Sequence, residues 1–318
     1  MRLNHQMRKA PKNLPKNPAS FTLAHSQAQN ASMHKALIET ARSYCQKHAA
    51  EGSPIKTPVP GLVLLRRVTP AEVDHAIIQP LLCLVLEGSK EVDIGDRCER
   101  FNAGEVMLVS RNVPTRTRIG EASAAKPYLS IALDLDAGLL RELINLHNGL
   151  PAQRQNVRPA LFDAVRRLIA VLDQPASLAA LHAGLLREIH HWLLLGPEGE
   201  QLRELAQVDG HASRIARAVS LLRRDYRSAL TIDVLAARAG MSRSAFHLHF
   251  RAHTSLTPLQ FQKQLRLIDA RNQIFSRGKS ISAAAFAVGY ESVSQFSREY
   301  RRLFGLSPAQ DKRASTDG

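Results

Sequence analysis

The chain has 318 residues, a formal net charge of +15 and 44% hydrophobic residues. This length exceeds the usual size of one domain, so two domains are expected. No stretch approaches 18 uninterrupted apolar residues, which argues against a membrane-spanning helix, and the N-terminus lacks the apolar segment of a secretory signal. The three cysteines are scattered and form no CxxC pair, so neither a disulfide framework nor a zinc ribbon is expected, and a reducing cytoplasm fits them.

The positive charge lies at the two ends of the chain. Residues 211–318 hold 18 Lys and Arg against 7 Asp and Glu, a net charge of +11, whereas residues 31–210 hold 20 against 21. This asymmetry favours a nucleic-acid-binding C-terminal part joined to a domain with a different role. Residues 1–33 form a basic, proline-containing tail that we expect to be disordered, with the folded unit beginning near Met33. A DNA-contacting arm is the alternative for this tail.

The middle of the chain changes from a strand pattern to a helix pattern. After a short helix expected from residue 34, short apolar runs alternate with Gly and Asp turns, at 62–65, 81–86, 106–109 and 128–133. Closely spaced short strands predict a small barrel or jelly roll. Beyond residue 136 the apolar residues follow a helical period. These helices are expected to pack on the barrel of the same subunit, or else to form a dimer interface.

The last hundred residues contain one segment twice, about 50 residues apart. The stretch from Phe250 to Pro258 reappears from Tyr300 to Pro308. In both copies a short Ala-containing helix is followed by a glycine, a serine cap and a helix with aromatic residues four apart. This order is typical of a helix-turn-helix. Two copies in a basic segment predict two recognition helices that read adjacent turns of DNA.

These residues resemble the DNA-binding domain of the AraC/XylS family of bacterial transcription regulators over residues 211–310. The resemblance is carried by the stretches 235–242, 246–250, 258–260, 265–271, 288–298 and 304–308. Residues 57–147 resemble the N-terminal domain of one AraC subgroup, through 57–62, 86–90, 127–129 and 134–136. The resemblance implies an α+β protein. Its N-terminal part would be a cupin-like β-barrel with flanking helices, and its C-terminal part an all-α domain of two helix-turn-helix units joined by a long helix.

The same resemblance sets the expected domain limits. The cupin-like domain, which senses a signal or dimerises in this family, is expected at residues 34–200. A linker is expected at 201–212, the double helix-turn-helix at 213–312, and a disordered tail at 313–318. The connecting helix should run from Pro258 to about Phe275, because proline is favourable in a first helical turn.

In the first unit, Phe246 and Phe250 should anchor the recognition helix in the core. The opposite face is expected to contact DNA, through Ser242, Ser244, His247, Leu248 and Arg251. Leu248 departs from the family, where Arg is common at this position. Leucine cannot donate to guanine but can contact a thymine methyl group. Ser255 is a second departure, because the other copy has Gly305 there, and a positive φ would strain the serine.

In the second unit, Phe296 and Tyr300 should point inward. The expected DNA-binding residues are Ser292, Val293, Ser294, Ser297, Arg298 and Arg301. Arg298 is the strongest candidate for base readout, because a guanidinium can bind guanine O6 and N7 with two hydrogen bonds. The alternatives for Arg298 are a phosphate contact or a solvated side chain. Arg301 and Arg302, further along the helix, are better suited to phosphate contacts or to surface charge.

The N-terminal domain shows no pattern of catalytic or metal-binding residues. The histidines expected of a metal-binding cupin are missing, so we predict no metal and no cofactor. Cys83 is expected to be buried in an apolar run. Cys98 stands beside Arg97 and Arg100, which could lower its thiol pKa and make it a redox or electrophile sensor, with an unreactive surface thiol as the alternative.

Together the sequence predicts a cytoplasmic, sequence-specific transcription regulator that binds double-stranded DNA. We expect a homodimer whose activity responds to a small molecule on the N-terminal domain, with RNA polymerase as a candidate partner. Activation and repression are the two alternatives for its effect on transcription. Two other functional classes are alternatives: an enzyme with a cupin barrel tethered to DNA, which the missing ligand cluster disfavours, and an architectural protein that coats DNA without sequence preference.

Overall fold

In a computed structural model, the described residues are 18–48, 53–94, 97–120, 122–147, 157–207 and 210–314, with side chains from residue 32 onward apart from 71–73. These residues form an N-terminal domain of two antiparallel sheets flanked by helices, followed by an all-helical C-terminal domain. The α+β prediction is therefore confirmed. None of the helices in the described part of the chain is both long and apolar enough to cross a membrane.

The two sheets divide the described strands into five and four. The first has the order β1-β2-β9-β4-β7 and the second β3-β8-β5-β6. The strands are β1 (Ile55–Lys56), β2 (Leu62–Arg67), β3 (Ala71–Ile78), β4 (Leu81–Glu87), β5 (Ser89–Ile94), β6 (Arg97–Asn102), β7 (Val106–Val109), β8 (Val113–Ile119) and β9 (Tyr128–Asp134). All described pairings are antiparallel.

The first sheet is apolar on both faces because helices cover its outside. On β4, Leu82, Leu84 and Leu86 join the core formed with the helices, while Cys83 and Val85 belong to clusters between the sheets. The helices of this domain are α1 (Pro18–His48), α2 (Ala137–His147), α3 (Arg158–Ala170), α4 (Pro175–Leu195) and α5 (Gly199–Ala206). The apolar helical residues thus pack on the barrel of their own subunit, as predicted.

Two expected limits of this domain differ from the structure. Helix α1 begins at Pro18, sixteen residues before the helix expected from residue 34, while residues 1–17 lie outside the described part. Proline suits a first helical turn, and residues 19–48 contain no further proline or glycine to interrupt the helix. The expected linker at 201–212 is also largely helical, because Leu202 and Ala206 of α5 are buried in the main core.

Seven helices form the described C-terminal domain. They are α6 (His211–Asp225), α7 (Ile232–Ala239), α8 (Arg243–Thr254), α9 (Pro258–Ser276), α10 (Ile281–Ala287), α11 (Val293–Phe304) and α12 (Pro308–Ala314). Helix α9 has 19 residues and is about 28 Å long at about 1.5 Å per residue. Its N-terminus has a capping box, in which Thr257 and Gln260 exchange side-chain and backbone hydrogen bonds. The prediction for this helix is confirmed.

The C-terminal domain has two apolar cores, one for each helix-turn-helix. Phe261 of α9 belongs to the core of the first unit, whereas Leu267, Ala270 and Ile274 belong to the core of the second. Helix α9 therefore fixes the two units to each other through packing at both of its ends.

The outer face of β3 and β8 contacts the C-terminal domain. Ile77 is buried within the core of the first helix-turn-helix unit, and the His75 ring meets Phe304 edge-on at 5.0 Å between centroids. Arg223 of α6 donates from Nη2 to the carbonyl oxygen of Ile77 at 2.7 Å and to Oδ1 of Asn112 at 3.4 Å. The two domains consequently share a packed, hydrogen-bonded boundary.

Candidate nucleic-acid interface

The first helix-turn-helix consists of α7, a tight turn and α8. Thr231 caps α7 by accepting from the backbone N–H of Val234, and Ser242 caps α8 by accepting from that of Ala245 at 3.3 Å. Gly240 ends α7 with φ of 62°, a left-handed conformation that costs glycine little. The caps and the turn therefore form where the sequence predicted them.

The recognition helix of this unit separates an anchoring face from an exposed face. Phe246 and Phe250 are fully buried, with their rings 5.3 Å apart, and Phe250 meets Phe261 of α9 at 5.6 Å. The opposite face is exposed at all five predicted positions, which are Ser242, Ser244, His247, Leu248 and Arg251. Leu248 is 69% exposed, so its apolar side chain is accessible to another surface.

The second unit repeats this arrangement with α10 and α11. Ser280 and Ser292 cap the two helices, and Gly289 forms the turn with φ of 91°. Phe296 and Tyr300 are fully buried. Among the predicted DNA-binding residues, exposed side chains are found at Ser292, Ser294, Arg298 and Arg301, whereas Val293 and Ser297 are half-buried.

The two units are also joined by hydrogen bonds that the sequence did not reveal. Arg266 of α9 donates from Nε to the carbonyl oxygen of Tyr226 at 2.7 Å and from Nη1 to that of Gly289 at 2.9 Å. Gln262 donates from Nε2 to the carbonyl oxygens of Tyr226 and Ser228 at 3.0 and 2.7 Å. The end of α6 in the first unit and the turn of the second are thus held by the same helix. In the sequence, the only indication of these hydrogen bonds is the presence of polar residues on the inward face of α9.

Gly289 shows how closely these units approach. A Cβ atom at this position would lie 2.3 Å from the carbonyl oxygen of Arg227, which is shorter than any tolerated contact. The glycine is therefore required both by its positive φ and by the backbone of the first unit.

The two recognition helices end differently in sequence but alike in structure. Ser255 follows α8 with φ of 60° and Gly305 follows α11 with φ of 83°. Ser255 is the only non-glycine residue with positive φ among the described residues. The positive φ on which the predicted strain at this serine depends is therefore present.

Two side-chain contacts near the recognition helices were not predicted from the sequence. Arg243, in the first turn of α8, forms an exposed ion pair with Asp233 of α7. On the other side of α8, the rings of His249 and His211 stack 3.5 Å apart. Desolvation, together with the charges of His211 and Arg214, lowers the pKa of His249, so this imidazole favours its neutral form.

The suggested reactivity of Cys98 is not supported by its surroundings. Cys98 is exposed, but its partner across the β5–β6 ladder is Asp93, not one of the neighbouring arginines. A hydrogen bond with Asp93 raises the pKa of this thiol instead of lowering it, so the described surroundings do not favour the thiolate. Arg97 directly precedes Cys98 and therefore points to the opposite face of the strand. Arg100, two residues further on, shares the face of Cys98 but donates from Nη2 to Oγ of Ser89 at 3.1 Å.

The remaining cysteines are free and buried, as expected for Cys83, which accepts from Lys90 Nζ at 3.1 Å. Within the described residues there is no group of three or more His, Cys, Asp and Glu side chains that could hold a metal ion.

Comparisons with known proteins agree with this architecture. Residues 58–201 match the family model of the AraC-type transcriptional regulator N-terminus, and residues 235–314 match a helix-turn-helix domain. The HTH-type transcriptional activator RhaS of Escherichia fergusonii is 29% identical over 180 residues, which cover 54% of this chain and 63% of RhaS. The raffinose operon regulatory protein RafR of Pediococcus pentosaceus is 24% identical over 219 residues, covering 66% of this chain and 75% of RafR.

A solved structure has a similar fold along most of the chain. Apo ToxT from Vibrio cholerae, determined as a point variant, superimposes with a TM-score of 0.51 at 11% identity, covering 80% of this chain and 98% of ToxT. The match to RhaS spans less than two thirds of the length of that protein. The two matched regions together cover most of the chain, in the order that the fold displays. The chain belongs to the AraC/XylS family of transcriptional regulators.

Proposed function

We propose that this protein is a sequence-specific DNA-binding transcription regulator whose two recognition helices enter adjacent major grooves. The observation that carries the proposal is the pair of capped helices, α8 and α11, each anchored by two buried aromatic residues and each exposing polar side chains. Short side chains, histidine and arginine on such a face can reach base edges and phosphates together.

The connection between the units supports a fixed spacing. Helix α9 is about 28 Å long, and the helices at its ends extend the distance between the two reading surfaces. One turn of B-DNA is about 34 Å, so two major-groove segments on one side of the duplex would suit this domain. The proposed site has two short elements that differ in sequence, because the two reading faces differ at Leu248 and Arg298.

The test of this proposal is selection of bound fragments from genomic DNA by the full chain, followed by affinity measurements at several salt concentrations. We expect a recurrent bipartite sequence and a steep loss of affinity as salt rises, because phosphate contacts release counterions. Binding without any sequence preference would refute specific readout and support the architectural alternative.

Arg298 offers a sharper test of direct readout. Replacing Arg298 by Ala should cost about 1–3 kcal/mol of binding free energy and relax the preference at one base pair. Arg302→Ala is the matched control on the same helix, since Arg302 is also exposed but is expected to contact phosphate and not a base. An equal loss on all sequences for Arg298→Ala would identify Arg298 as a phosphate contact as well.

We further propose that the protein acts in the cytoplasm as a homodimer, not as an enzyme. Helix α4 exposes Leu181 together with the small residues Ala180, Ala183 and Gly184, which would allow close approach of a second helix. Sedimentation equilibrium of the full chain should give a dimer mass, and a monomer across the micromolar range would contradict this part. Because RhaS is named a transcriptional activator, we propose activation, with RNA polymerase as the partner. A promoter-reporter assay would distinguish activation from repression.

A further inference from the structure

A cleft with a volume of about 490 Å³ lies between the barrel and the C-terminal domain. One wall is the outer face of β3 and β8, with His75, Arg116 and Arg118. The other wall is formed by Arg271, Phe304 and other residues of α9, α11 and α12. Small-molecule sites commonly have volumes of about 300–1,000 Å³, so the cleft is large enough for a metabolite.

The charges on the C-terminal wall are already paired within their own domain. Arg271 donates from Nε to Oδ2 of Asp311 at 2.9 Å and from Nη2 to Oδ1 at 3.3 Å. The hydroxyl of Tyr300 also donates to Oδ2 at 2.6 Å. Because both oxygens of this carboxylate accept hydrogen bonds from its own domain, Asp311 leaves little negative charge to repel an anion in the cleft.

The barrel wall, in contrast, carries positive charge that is only loosely paired. The nearest carboxylate to Arg116 is Asp93 and the nearest to Arg118 is Glu91, each at 3.9 Å. This distance is beyond hydrogen-bonding range, and both arginine side chains are more than half exposed. On one face of β8, two guanidinium groups therefore keep donors that a bound group can use.

His75 lies beside these arginines on the barrel wall. Its ring lies between Arg116, its partner across the β3–β8 ladder, and the C-terminal domain. Burial, then the charges of Arg116 and Arg271, lower the pKa of His75 to about 4. The imidazole is consequently neutral at physiological pH. It adds no charge of its own but can donate or accept one hydrogen bond.

Apolar side chains line the cleft from the C-terminal domain. They are Phe304 and Leu306. Leu306 is 42% exposed, so part of its surface would be covered by a bound molecule.

We infer that this cleft binds a small organic anion, with its acid group on Arg116 and Arg118 and its apolar body against Phe304 and Leu306. The inference deepens the proposed regulatory function and rests on it, because it gives the effector a chemical class and a place. Guanidinium groups bind carboxylate and phosphate alike through paired hydrogen bonds. A ligand that touches both walls favours the docked arrangement of the two domains, and in this way it would change how the DNA-reading units are held.

The test is titration calorimetry of the full chain with phenylacetate, phenyl phosphate and neutral phenylacetamide. We expect saturable 1:1 binding of at least one of the two anions and none of the amide, and the preferred anion identifies the acid group. The double variant R116Q/R118Q should weaken binding at least tenfold, because both charge-assisted contacts are lost. Leu306→Ala should weaken it several-fold from the opposite wall. The control R97Q/R141Q removes two exposed arginines outside the cleft and should bind like the unchanged chain.

The inference is overturned if neither anion binds saturably, or if R116Q/R118Q binds as well as R97Q/R141Q. Circular dichroism of each variant checks that the fold is retained. DNA selection with the same proteins separates this inference from the proposed function. Anion binding without any preferred DNA sequence would contradict the proposed function alone, whereas a preferred DNA sequence without anion binding would contradict the inference alone.

Discussion

The turns after the two recognition helices allow a quantitative test of backbone strain. Ser255 and Gly305 occupy corresponding positions, with φ of 60° and 83°. A left-handed conformation costs an L-residue about 1–2 kcal/mol, and glycine avoids this cost. Glycine also loses about 0.4–1 kcal/mol more conformational entropy on folding. The difference predicts that Ser255→Gly stabilises the C-terminal domain by about 0.5–1 kcal/mol.

The reverse substitution provides the matched control. Gly305→Ser should destabilise the domain by a similar amount, since no atom lies within 4 Å of a Cβ built at Gly305 and strain is therefore the only cost. Ser255→Ala keeps the strain and removes the hydroxyl, so its stability should change by less than about 0.5 kcal/mol.

Urea unfolding followed by circular dichroism measures these differences. At a slope of about 2 kcal/mol per molar urea, the midpoint should rise by about 0.3–0.5 M for Ser255→Gly and fall by a similar amount for Gly305→Ser. The slope should stay unchanged. If Ser255→Gly lowers the midpoint while Ser255→Ala lowers it equally, the serine hydroxyl and not the backbone decides this turn, and the reasoning is refuted.

Three further predictions concern other parts of the molecule. Leu248→Arg should change the preferred base pair at one position of the selected site to G·C. The binding free energy should favour G·C over the other base pairs by about 1–3 kcal/mol. An unchanged site would show that Leu248 lies away from the bases. Gly289→Ala should destabilise the C-terminal domain by about 3 kcal/mol or more, because the added Cβ would meet the Arg227 carbonyl oxygen and φ at this position is positive. Urea titration measures this loss. A loss of stability as small as that of Gly305→Ser would contradict the prediction. Since the folded-state pKa of His75 is about 4, against about 6.5 when unfolded, its neutral form stabilises the fold fully above pH 6.5, and this stability is lost as pH falls towards 4. His75→Gln should therefore flatten the loss of stability between pH 7 and 4.5, and an unchanged slope would exclude His75 as its cause.

The sequence revealed four of the five described strands of the first sheet and none of the four in the second, for a physical reason. Strands β2, β4, β7 and β9 lie under helices or neighbouring core, so they appear as short apolar runs. Strands β3, β5, β6 and β8 have one face towards solvent or the C-terminal domain. On β8, Thr115 and Ile119 are buried while Arg116 and Arg118 are exposed. Such alternation with charged residues resembles a loop when hydrophobicity alone is considered.

The recognition helices were predictable because their determinants are local. A serine cap, a turn glycine and two aromatic residues four apart specify each unit within about twenty residues. The contacts between units were not predictable in this way. Arg266 meets carbonyl oxygens that lie 40 and 23 residues away in sequence. The cleft depends on His75 and Arg271, which are still further apart and belong to different domains. Long-range partners of this kind follow only from the tertiary arrangement.

The contacts between the two helix-turn-helix units and the contacts of the first unit with the barrel affect DNA recognition differently. Arg266 and Gly289 fix the second unit against the first, while Arg223 and Ile77 fix the first unit against the barrel. The spacing of the two reading faces is thus a property of the C-terminal domain alone, whereas their position relative to the barrel depends on the domain boundary. A change at that boundary would move both faces together and leave their spacing intact. An effector acting there would therefore alter access to a DNA site, or the pairing of two subunits on it, without changing the sequence that each subunit reads.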